Sequence, residues 1–168
     1  APIQLIGKLI QLIFVVRKKI MKIFITPLIA ILLSIVSMAS FSAEHVVKML
    51  SSGAEGSMIF EPSVLKVAVG DSVTFKATDA GHNAASIEGL IPSGASGWEG
   101  AINKDITVKF DKEGVYVYQC TPHVVLAMVG VISVGSPTNL QQIVADSAGL
   151  QKSFVMNKER LSSYLSKL

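Results

Sequence analysis

The chain has 168 residues, half of them apolar, with 15 basic and 12 acidic side chains, which leaves room for about one domain once any targeting segment is set aside. The basic excess does not indicate nucleic acid. Five of the basic residues, Lys8, Arg17, Lys18, Lys19 and Lys22, precede Glu44, and all 12 acidic residues lie from Glu44 onward; Glu44 to Leu168 therefore carries ten basic against twelve acidic side chains, with no basic patch of the kind nucleic acid requires.

The N-terminal forty residues read as targeting sequence. Ala1 to Val16 is mostly apolar, with Lys8 its single charge, and Arg17-Lys18-Lys19 follows. Met21-Lys22, the apolar run Ile23 to Val36 and the small residues of Ser37 to Ala43 have the parts of a secretory signal peptide over residues 21–43. Cleavage after Ala39 places Ser37 at the −3 position; cleavage after Ala43 places the bulkier Phe41 there. Residues 1–20 read as a non-native upstream extension. The alternative is a membrane anchor, but neither apolar run reaches the ~20 uninterrupted residues of a spanning helix. The domain is then 44–168, without membrane insertion.

In chain order, His45 to Leu50 predicts a strand with His45 at the surface, and Ser51 to Ser57 a loop. Met58 to Phe60 is a short strand ended by Glu61-Pro62. Val64 to Val69 is another, closed by Gly70-Asp71. Ser72 to Thr78 alternates, with Val73, Phe75 and Ala77 on one face, as a half-buried strand does. Asp79-Ala80-Gly81 turns the chain toward His82. Ala84 to Gly100 has no sustained period and reads as a crossing segment with at most one helical turn, pinned by Trp98. Ile106 to Phe110, Val115 to Tyr118 and Met128 to Val134 complete seven or eight short strands, the pattern of an all-β sandwich or barrel. After Gly135-Ser136-Pro137 the period becomes helical. Leu140, Ile143 and Val144 predict one helix, with Thr138 or Asn139 as cap and a break at Gly149; Leu161, Tyr164, Leu165 and Leu168 predict a second. One or two helices thus cover a sheet edge or face.

Chemistry concentrates between the last two strands. Cys120, the single cysteine, is followed by His123 and Met128. A thiolate with imidazoles suits copper or zinc, and a weak axial thioether favours copper. Two histidines and a cysteine in a plane, with methionine on the axis, make a blue-copper electron-transfer site. His82, in Gly81-His82-Asn83, is the candidate second histidine. A lone cysteine in an exported chain has no disulfide partner, and metal coordination protects it from oxidation. A structural zinc site is disfavoured by the methionine.

These residues, with Gly53-Ala54-Glu55-Gly56, Met58, Phe60-Glu61-Pro62, Ile91-Pro92, Val134-Gly135 and Asn139-Leu140, resemble the pseudoazurins, bacterial periplasmic members of the cupredoxins. The resemblance implies an eight-stranded cupredoxin-like Greek-key sandwich with C-terminal helices. It also implies one type 1 copper at His82, Cys120, His123 and Met128, and cleavage just before Glu44. The family shuttles single electrons to copper nitrite reductase or other respiratory oxidoreductases. It therefore implies a monomeric periplasmic carrier and not an enzyme, with a redox protein as partner. The alternative is a periplasmic protein that binds or delivers copper without a shuttle role.

By the same resemblance Asn83 ties the two metal loops together and donates toward the Cys120 sulfur, and Met58 packs beside a ligand histidine. Pro122, which has no N–H, limits hydrogen bonding to that sulfur. Val124, Val125 and Leu126 form an apolar patch for partner docking around the edge of His123. Family members ring this patch with lysines; the matching positions here are Ser52, Ala80, Glu99 and Gln119, none of them basic.

Overall fold

The computed structural model describes residue 7, residues 12–19 and residues 42–168. The chain divides into two compact units, residues 1–41 and 42–168. Within the first, residues 12–19 are helical. Most of the expected extension and signal segment lies outside the described residues. Among the described residues no helix is long and apolar enough to cross a membrane.

The second unit is a sandwich of two four-stranded sheets. Its strands are β1 (Glu44–Gly53), β2 (Gly56–Glu61), β3 (Val64–Val67), β4 (Ser72–Lys76), β5 (Ala85–Ser86), β6 (Ile106–Lys109), β7 (Gly114–Gln119) and β8 (Val129–Val134). The first sheet has the order β2-β1-β4-β6, the second β3-β8-β7-β5. β1–β4 and β3–β8 pair in parallel, the remaining neighbours antiparallel. This is the expected all-β Greek-key sandwich, with eight strands. Helices α1 (Leu140–Lys152) and α2 (Arg160–Leu165) follow.

Alternation builds two cores. From the first sheet Val47, Met49, Val73 and Phe75 point between the sheets, where they meet Tyr116, Tyr118, Cys120, Met128, Ile132 and Val134 of the second. The intervening residues of β7 and β8, Val115, Val117, Val129 and Val131, point outward and are covered by Ile143, Phe154, Leu161, Tyr164 and Leu165. The helices therefore pack on a sheet face. Trp98 pins the crossing segment as expected, stacking on Phe75 at 5.7 Å between ring centroids and meeting Phe110 edge-on at 5.6 Å.

Several local expectations are corrected. β1 runs past Leu50 to Gly53 and turns tightly into β2, so Ser51 and Ser52 are strand residues, held by the pairing of Ser52 with Ser57. The crossing segment has no helical turn; it contributes β5 and a bridge between Ala85 and Glu99. His45 is half-buried, its Nε2 2.8 Å from Asp71 Oδ2. The same carboxylate accepts the amides of Ala43 and Ala68 at 2.8 and 3.0 Å. Gly149 does not break α1, which runs on to Lys152. Its flanks hold it: Ile143 and Phe154 are buried against the second sheet. Asn139 stands at the N-cap position without a side-chain capping bond. Its amide instead bonds both backbone groups of Val115, at 2.7 and 3.1 Å, and so fastens α1 to the start of β7.

Candidate metal centre

Cys120 leaves β7 in an extended conformation and caps a 3₁₀ turn over Thr121–Leu126. Pro122 sits in the first turn, where a missing N–H costs nothing. With three residues per turn, Cys120 and His123 fall on the same side. Ala127 ends the turn in the left-handed conformation, φ 58 and ψ 39. The loop is closed at its base: the Cys120 amide donates to Met128 O at 2.9 Å, and the Met128 amide donates to His123 O at 3.2 Å.

His82 arrives from the other side, on the loop between β4 and β5. Asn103 holds that loop twice. Its Oδ1 accepts the Gly81 amide at 2.5 Å, and its own amide donates to His82 O at 2.9 Å. Gly81, at φ 91, takes a left-handed turn that a side chain would strain.

The donor atoms converge. His82 Nδ1 and His123 Nδ1 are 3.2 Å apart, and Cys120 Sγ lies 3.7 Å from the first and 3.4 Å from the second. The three residues form a cluster that can hold a metal ion. A trigonal ion at ordinary metal–imidazole and metal–thiolate bond lengths needs edges of roughly 3.5 Å between nitrogens and 3.7 Å from nitrogen to sulfur. The residues fit the group. Met128, fully buried, belongs to the same inter-sheet core as Cys120. His82 is fully buried and His123 half-buried, so His123 is the member of the trio that reaches the surface.

The surroundings set the protonation states. Burial pushes the Cys120 thiol above its ordinary value, opposed by the backbone amides of Asn83 and His123. Burial, and then the neighbouring His123, pull His82 below the ordinary imidazole value, with Asp79 opposing. The metal-free site thus favours a neutral thiol and a neutral imidazole, and an ion that takes the thiolate releases a proton. For His82 to offer Nδ1, its Nε2 must carry the proton. Ser51 Oγ, 3.0 Å from that Nε2, is placed to accept its proton once Nδ1 binds the ion. Ser51 is itself held by its amide, which donates to Asp79 Oδ2 at 2.7 Å.

Asn83 links the two loops: its Oδ1 accepts both the amide and the hydroxyl of Thr121, at 2.8 and 3.0 Å. Its side-chain nitrogen donates to Gly100 O at 2.9 Å and not to the sulfur. Pro122 has no N–H to offer the sulfur, and the His123 amide one residue on donates to Cys120 O at 3.1 Å. Met58 is half-buried against the inter-sheet core and adopts φ 50.

Val124 and Leu126 are half-buried, and Val125 is 45% exposed. The apolar surface continues onto residues the sequence did not single out. The Val155 amide donates to Val125 O at 2.8 Å, and Val155 and Met156 are 67% and 55% exposed. Ser51, Asn103 and this α1–α2 linker were missed because each acts across the fold.

The model of copper binding proteins of the plastocyanin/azurin family matches residues 47–135. The chain belongs to the plastocyanin/azurin family of copper-binding proteins. It is 35% identical over 129 residues to a pseudoazurin of Paracoccus pantotrophus, covering 76% of this chain and 86% of that one. In structure it is similar to native pseudoazurin of Hyphomicrobium denitrificans, at TM-score 0.65 and 36% identity over 74% of this chain and 98% of that one. It is likewise similar to pseudoazurin of Methylobacterium extorquens AM1, at TM-score 0.64 and 38% identity with the same coverage. Within this family the chain is closely related to the pseudoazurins by sequence and fold, and members of the family are electron carriers and not enzymes. The His-Cys-His cluster is that of a single type 1 copper site.

Proposed function

We propose that this chain is a periplasmic one-electron carrier. His82, Cys120, His123 and Met128 would hold one copper ion, and the redox partner is copper nitrite reductase or another periplasmic oxidoreductase. The observation that carries the reading is the 3.2, 3.4 and 3.7 Å triangle of donor atoms with one corner, His123, at the surface.

Copper bound there supplies one-electron chemistry between its two oxidation states. The chain does the rest. Cys120, buried between two strands with its amide and carbonyl bonded to Met128 O and the His123 amide, keeps its sulfur in place whichever charge the site carries. Ser51, Asn83 and Asn103 fix the His82 loop, so little rearrangement accompanies a change of charge. His123 offers the short route outward. Around it Val125, Val155 and Met156 present a dry apolar surface on which a partner can approach closely and exclude water. Ser52, Ala80, Glu99 and Gln119, where the family carries lysines, give no basic ring to steer an acidic partner.

Export by a signal within residues 21–43 fits this role. Ser42 Oγ donates to Gly70 O at 2.7 Å, the Ala43 amide to Asp71 Oδ1 at 2.8 Å, and the Ser72 amide to Ala43 O at 2.9 Å. These contacts support a mature chain that keeps Ser42 and Ala43, as cleavage after Ala39 does; the mass of the secreted protein tests it.

The deciding experiment is a Cu(II) titration of the mature protein followed by optical and EPR spectroscopy, then ascorbate. One equivalent giving an intense visible charge-transfer band, narrow copper hyperfine splitting and reversible bleaching supports the carrier. Uptake of several coppers without such a band refutes it in favour of copper handling.

A further inference from the structure

We propose that Arg160 is a positioning residue for the Met128 side of the metal site, holding the peptide that carries Met128; the inference rests on the copper reading above. Arg160 is the first residue of α2, remote in sequence from the metal loop. Its Nη1 donates to Ala127 O at 3.0 Å and to Met58 O at 2.9 Å, and its Nη2 donates to Ser57 O at 3.1 Å.

The Ala127 carbonyl belongs to the same peptide unit as the Met128 amide. That unit is held on one side by Arg160 and on the other by His123 O, which accepts the Met128 amide at 3.2 Å. The following carbonyl, Met128 O, accepts the Cys120 amide at 2.9 Å. The Val129 amide, next along the chain, also donates to Ala127 O at 3.0 Å. Both peptides flanking Met128 are thus pinned, and Arg160 is the group that reaches them from a distant element.

The need for an outside clamp is visible in the backbone. Ala127, at φ 58, and Met58, at φ 50, are non-glycine residues in the left-handed region. Such residues persist only where surrounding structure over-determines them. Arg160 Nη1 bonds the carbonyls of both. A guanidinium is permanently charged and presents its donors as a rigid planar fork, which one ammonium cannot reproduce. The fork therefore sets the distance between the start of β2 and the end of the metal loop, and with it where the Met128 side chain begins.

The test uses Arg160→Ala and Arg160→Lys, with Leu161→Ala as a control. Leu161 is on the same helix and fully buried in the core under the helices. In the copper protein both Arg160 variants are expected to change the relative intensities of the visible charge-transfer bands and to shift the reduction potential. Leu161→Ala is expected to lower thermal stability and leave both at wild-type values. In the metal-free protein, exchange of the Met128 amide, measured relative to that of Val131 on the same strand, is expected to rise about tenfold or more in both Arg160 variants, since a charged hydrogen bond is lost. Wild-type bands, potential and relative exchange in the Arg160 variants, with only stability reduced, would make Arg160 a mere fastener of the helix and overturn the proposal. If Arg160→Ala does not fold, Arg160→Lys decides by the same readouts. If wild-type protein forms no type 1 centre, the copper reading fails separately, and the exchange measurement still decides whether the clamp exists.

Discussion

The two sheets of the sandwich are buried differently. The first alternates: Val47, Met49, Val73 and Phe75 are buried, while their neighbours Val46, Lys48 and Lys76 face solvent. The second is covered on both sides, so that all six residues of β8 and five of the six in β7 are buried. Three of the four candidate ligands hang from the covered sheet. The fourth, His82, is delivered by the loop that leaves the open one, and it needs Ser51, Asn83 and Asn103 to hold it. Rigidity at the thiolate comes from packing on two faces; at the lone histidine it comes from a few named hydrogen bonds.

Breaking the covered side should have the largest effect. Cys120→Ser is expected to abolish the visible charge-transfer band and one-electron turnover while the sandwich still folds, as circular dichroism and spectroscopy together would show. Phe154→Ala, under the covered sheet, should cost ~3–5 kcal/mol of stability by denaturant titration. Val46→Ala, on the open face, should stay within ~0.5 kcal/mol. An equal loss in the two would erase the distinction between the sheets. On the histidine side, Ser51→Ala removes the acceptor placed for the His82 Nε2 proton. Metal affinity in a competition assay should fall ~10–100-fold with the fold intact.

A smaller effect belongs to Asp71, at the turn into β4. Three hydrogen bonds, that of His45 foremost and then the amides of Ala43 and Ala68, hold its carboxyl down at about 2, against an ordinary 3.8. The fold therefore favours the ionised form. That stability is fully present above the ordinary value and is lost as pH falls through about 2. Asp71→Asn should flatten the acid limb of the stability curve over that window; an unchanged limb would exclude Asp71 as a source of acid sensitivity. The smallest expected effect concerns approach to a partner. Without a lysine ring, the bimolecular rate with an acidic redox protein should depend weakly on ionic strength, and a steep fall with added salt would contradict that.

How much of this was legible depends on distance along the chain. Cys120, His123 and Met128 lie within nine residues, so their chemistry could be read without a fold. Strands of the open sheet announced themselves by alternation. The runs in β7 and β8 did not say which side faces which core, because valines and tyrosines are buried on both. The groups that hold the site were invisible for a common reason. Ser51 meets His82 across 31 positions, Asn103 meets Gly81 across 22, and Arg160 meets Met58 across 102. Contacts of that span leave no local pattern. Gly149 misled in the opposite way: a helical glycine costs only ~1 kcal/mol relative to alanine, and burial on either side of it outweighs that.

The closed nine-residue loop also bears on how strongly a metal can stabilise this protein. A ligand raises the folding equilibrium only by the difference between its affinities for the folded and unfolded chains. Unfolding here removes His82 from the set, but Cys120, His123 and Met128 remain neighbours on any conformation of the chain. A thiophilic ion keeps a foothold on the denatured protein. The rise in melting temperature on metal loading should accordingly be smaller than the native affinity alone would give, and the metal should stay attached through an unfolding and refolding cycle.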